Sequence, residues 1–133
     1  MRRVLILAAC APLLMAQSLG PGARTEEGIP RQSCGFGEGL GLLRAVEREA
    51  AQRVPGVGEG RARGERAVSG LNSAAATFRA CGCARLAQLT AEAASAAVAA
   101  PAEASVARLT SVFAQVKFRA RIAREFSEER ACR

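Results

Sequence analysis

The stretch Phe78-Arg79-Ala80-Cys81-Gly82-Cys83-Ala84-Arg85-Leu86 decides how this chain is organised. Two cysteines flank a single glycine near the middle of the sequence, with Cys34 far upstream and Cys132 far downstream. Around them, Val68, Leu71, Ala75, Phe78, Gly82, Leu86, Leu89, Ala93 and Ala96 recur at steps of three and four. That is the period of one helical face. The seam passes through Gly82 without a phase break, so the spacing predicts one long helix from near Glu65 to about Ala99, carrying the Cys-Gly-Cys step internally. Gly82 would cost such a helix about 1 kcal/mol against Ala and admit a local kink. On the inner face it would let a neighbouring helix approach closely.

Upstream, Phe36, Leu40, Leu43, Val46 (or Glu47), Ala50 and Val54 form a second seam, predicting a helix from Gly39 to Val54 that stops at Pro55. Between the two, Pro55 to Gly64 (PGVGEGRARG) reads as a loop,. With that loop centred near residue 59, antiparallel packing sets residue 36 opposite residue 82, since each rod rises about 27 Å. Cys34 thus reaches the Cys-Gly-Cys step. Residues 81 and 83 stand about 200° apart on a helix, so one can face each neighbouring helix. Two pairings tie Cys34 and Cys132 to different middle cysteines, and Cys34–Cys81 is the slightly preferred start.

Downstream, Ala102, Val106, Leu109, Phe113, Val116, Ala120 and Ala123 form a third seam, expected to run from Ala102 to about Glu129, with Phe118, Ile122 and Phe126 widening its apolar face. Pro101 suits a hairpin turn before it. A turn there would place residue 132 level with residue 70, on the order of 15 Å beyond Cys81, unless the connection is longer or the tail folds back. The expected fold class is all-α, a three-helix antiparallel bundle stapled by disulfides.

The remaining sequence speaks to compartment. Arg2 and Arg3 precede an apolar run from Val4 to Ala16, and Ala16 and Ser18 are small. Residues 1–18 therefore read as a cleaved secretion signal, too short to span a bilayer. Residues 19–33, rich in Gly, Pro, Arg and Glu, read as a flexible leader, leaving 34–133 as a single helical domain,. A minor alternative is a lipoprotein anchored through Cys10. Removing the signal leaves four cysteines, an even number in a short exported chain, which argues for structural disulfides at Cys34, Cys81, Cys83 and Cys132. The expected location is secreted or periplasmic.

The 133 residues carry a net charge of +7, which falls to +5 without Arg2 and Arg3. There is no histidine and no aspartate, so the usual general base of hydrolytic catalysis is missing,. No enzyme activity, cofactor or metal site is expected. The windows of Gly35 to Gly41 lack the third glycine of a dinucleotide loop,. Export and the scarcity of aromatics disfavour nucleic acid as a partner. The cysteine pattern is not that of saposin-like domains, twin C-x9-C hairpins or plant lipid-transfer proteins. The functional expectation is an exported, disulfide-stapled helical accessory protein with a binding or structural role in an envelope or extracellular space, its partner an envelope protein or an anionic surface. One alternative is a thiol redox or soft-metal protein centred on Cys81-Gly82-Cys83. Another is a binder of anionic membrane through the basic helix 113–126, with Lys117, Arg119, Arg121 and Arg124 as contacts,.

Overall fold

The computed structural model describes residues 34–129, which form four α-helices and one 3-10 turn. They are α1 (Phe36–Ala50), α2 (Val57–Ala80), α3 (Ala84–Ala97), the turn Ala100–Ala102 and α4 (Val106–Glu129). No strand occurs among the described residues. The expectations for residues 1–18, 19–33 and Cys132 fall outside them.

The all-α class stands, but the helix number is corrected from three to four, because the long central helix is two helices. Gly82 sits in the left-handed region with φ 78°. Its N–H bonds Arg79 O at 3.0 Å, and the Cys83 N–H bonds Phe78 O at 2.8 Å. This is a Schellman termination with Gly82 just past the helix end, and its flanking apolar pair is the buried Phe78 and Cys83,. The chain turns back there. The seam kept its phase across Gly82 because both arms face the same core. Gly82 itself is exposed, and a Cβ there would meet nothing within 4 Å. It supplies backbone conformation, not close approach.

The second correction concerns Pro55 to Gly64. Only Pro55 and Gly56 are loop; α2 begins at Val57, about two turns earlier than the spacing suggested,. Gly60 and Gly64, four apart on one face, are buried. A Cβ at Gly60 would lie 2.7 Å from Leu109 Cδ1, and one at Gly64 would overlap the Ala100 Cβ. These glycines let α2 lie against α4 and the turn before it. Glycine richness there reflects tight helix contact rather than a loop.

The helices run alternately up and down. Val46 meets Gly70 and Gly39 meets Phe78, which sets α1 and α2 antiparallel. Gly64 meets Ala100 and Pro101, and Arg61 Nε donates to Glu103 O at 2.8 Å, so α3 returns along α2. Glu92 pairs with Arg119, while Leu89 and Ile122 line one groove, so α4 runs back along α3. The chain reverses through the 3-10 turn that holds Pro101 and an extended step at Glu103. Ser105 then opens α4, its Oγ accepting the Arg108 N–H at 3.3 Å,. Arg44–Glu128 and Glu47–Arg124 close the ring between α1 and α4.

The core is built of Leu43, Leu71, Phe78, Leu86, Leu109, Phe113 and Val116, interleaved with alanines such as Ala74, Ala93, Ala97, Ala120 and Ala123. Each alanine removes little apolar area from water, so the stabilisation per helix contact is modest, at about 25 cal/mol per Å2. Phe36 adds a tilted ring contact with Phe78 at 5.4 Å.

Candidate functional site

Cys34 and Cys81 form a disulfide with Cα atoms 5.1 Å apart, across a sequence separation of 47 residues. It ties the start of α1 to the end of α2, at the level the spacing argument gave. Gly35, at φ 71°, turns the chain from the bond into α1. Cys83 is buried and is likewise a disulfide cysteine. The sulfur of Cys81 is therefore committed to Cys34, not to its neighbour two residues on.

The basic residues of α4 divide between two sides of the helix. Arg119 turns toward α3 and stands 3.8 Å from Glu92. Arg121 and Arg124 turn toward α1, where they share Glu47: Arg124 Nε donates to Oε2 at 2.8 Å, and Arg121 Nε stands 3.7 Å from Oε1. Arg124 also donates to Glu128 at 3.0 Å. Its guanidinium is held well above the ordinary arginine value, first by the hydrogen bond to Glu47 and then by that to Glu128. A raised folded value stabilises at every pH below the unfolded one, so this group adds no pH dependence near neutrality. Lys117 borders a cleft with Arg44 and Arg48 of α1. The four expected contact residues thus do not form one face.

Phe118 was expected to widen the apolar face. Instead it is 63% exposed, pointing away from the core that Phe113, Val116 and Ala120 enter. Ile122, one turn on, is 38% exposed. Together with Leu89, Glu92, Gln115 and Arg119 they line a groove between α3 and α4.

Arg63 is the residue that the sequence hid most fully. It lies on α2 with 6% exposure. Its Nη1 donates to Gln52 O at 3.1 Å and reaches Glu49 O and Arg53 O at 3.4 Å, closing the open carbonyls at the end of α1,. The same guanidinium lies 5.5 Å from the centre of the Phe113 ring,. Placed in a loop, it gave no sequence signal; on a helix beside two buried glycines, it does.

Among the described residues no three acidic, cysteine or histidine side chains gather as a metal site, and no helix is long and apolar enough to cross a membrane. Comparison with protein families, characterised proteins and solved structures found no match.

Proposed function

We propose that this chain is an exported, disulfide-stapled helical accessory protein with a binding or structural role in a cell envelope or extracellular space. The observation that carries this reading is the Cys34–Cys81 bond, because protein disulfides persist in oxidising compartments. The alanine-rich core supports it, since small helix contacts gain most from a cross-link. The glutamates nearest the basic residues are engaged in ion pairs, as Glu47 and Glu92 are, which favours an architectural role for them over acid–base work. The competing thiol-redox and soft-metal reading needs Cys81 and Cys83 to act as a pair. The bond from Cys81 to Cys34 favours a structural role instead. The test is expression of the full chain in a secreting host, followed by fractionation and a thiol count on the native protein. The expected result is export, with no reactive thiol at Cys34, Cys81 or Cys83. Retention in the cytoplasm with reactive native thiols there contradicts it.

A second reading, contact with an anionic membrane through α4, is favoured by Phe118. An exposed aromatic beside Arg119 and Arg121 suits insertion at a lipid interface,. Vesicle sedimentation of wild type against F118S/R119E tests it. Loss of binding to anionic vesicles in the variant is expected, and equal binding by both forms removes the reading.

A further inference from the structure

We propose that the cleft between α1 and α4 binds a phosphate-bearing anion that carries two or more negative charges. The cleft, open to solvent, has a volume of about 350 Å3 and is lined by Arg44, Glu47, Arg48, Ala51, Lys117 and Arg124. Four cations and one carboxylate line it, and Glu128 at its edge accepts from Arg124 at 3.0 Å. The lining carboxylate is already spent. Glu47 gives one oxygen to Arg124 and the other to Arg121, and its side chain is only 16% exposed, against 49% for Arg44. Glu47 therefore acts as an inner strut that holds the guanidiniums in place. Arg44 has only a loose contact at 3.8 Å with Glu128. Arg48 and Lys117 form no ion pair among the described residues. Like charges held together by a rigid pair of helices repel one another, and a bound dianion relieves that repulsion. Ala51 projects only a methyl group into the cleft, which leaves room for a tetrahedral oxyanion. Arginine forks match phosphate oxygens two at a time, and Lys117 adds a point charge. A monovalent anion would balance too little of the charge.

Free oligophosphate and a phosphomonoester lipid headgroup present the same chemistry, so two probes separate them. Calorimetric titration of the oxidised full chain with tripolyphosphate should give saturable binding. In R48Q/K117Q, which breaks no ion pair among the described residues, binding should weaken by about fivefold or more. In R79Q/R108Q, which removes the same charge elsewhere, it should stay within about twofold. Sedimentation with phosphatidic acid vesicles, reversed by tripolyphosphate, assigns the anion to a headgroup. Tripolyphosphate binding without sedimentation assigns it to a free anion. No saturable binding to either probe, or equal weakening in both double variants, overturns the proposal. The site rests on the helix packing alone, so failure of the thiol count leaves it standing, and the Phe118 variant does not touch it.

Discussion

A charged side chain with 6% exposure must be matched by partners, and Arg63 finds them in the last carbonyls of α1. Hydrogen bonds from a charged group contribute about 1.5–3 kcal/mol. Arg63→Met should therefore lower stability by about 2–3 kcal/mol in urea unfolding. Arg63→Lys should recover less than half, because a point charge cannot span three carbonyls. A loss below about 0.5 kcal/mol for Arg63→Met would place the residue at an ordinary surface position. The glycines supply a second residue-scale contrast. Gly41 is exposed inside α1, and a Cβ there meets nothing within 4 Å, so Gly41→Ala should stabilise by about 0.5–1 kcal/mol,. Gly64→Ala gains the same propensity but overlaps Ala100, and should destabilise by about 1–3 kcal/mol,. Thermal melts of the two variants should shift in opposite directions.

At the scale of elements, the seams of α1 and α4 were largely legible: Leu43, Val46, Ala50, Leu109, Phe113, Val116, Ala120 and Ala123 are buried as their spacing required, whereas Ala102 and Val106, counted in the same seam, are exposed because α4 begins only at Val106. The central break was not. Gly82 lies in phase with the seam, and periodicity cannot distinguish a helix that continues from one that folds back with both arms on one core. Cys-Gly-Cys carried the needed signal as a termination motif, with Gly where the left-handed residue must stand. The two alternatives predict opposite signs for Gly82→Ala. A continuous helix would gain about 1 kcal/mol. The observed turn, at φ 78°, should lose about 1–2 kcal/mol in chemical denaturation, although nothing obstructs the new methyl,. Likewise, the glycines of PGVGEGRARG look alike in a loop and in a tight helix contact. Only the approach of Leu109 and Ala100 tells them apart.

At the largest scale, the antiparallel ring of four helices formed by the described residues, with small side chains at its contacts, gains much from covalent closure. A bond spanning 47 residues contributes about 4 kcal/mol by restricting the unfolded chain,. Spacing alone brought Cys34 to the Cys-Gly-Cys step without choosing between Cys81 and Cys83; the register that sets Gly39 on Phe78 and Val46 by Gly70 carries Cys34 to Cys81. The basic cleft was only half legible. Lys117 and Arg124 stood out on α4, but Arg44 and Arg48 join them only once α1 is seen to close the ring. The connection before α4 is longer than a hairpin turn at Pro101 alone. The connection extends past Pro101 to Ser105, so Leu89 lies beside Ile122 and Glu92 beside Arg119. Carried to the start of α3, that register brings Cys83 level with Glu128, four residues before Cys132.

Non-reducing peptide mapping of the purified, oxidised protein by mass spectrometry tests this architecture most directly. The structure predicts one peptide pair linked through Cys34 and Cys81; the cysteine spacing leaves Cys83 with Cys132 as the second expected pair. Recovery of a Cys81–Cys83 bond, or of Cys34 unattached to Cys81, would contradict it.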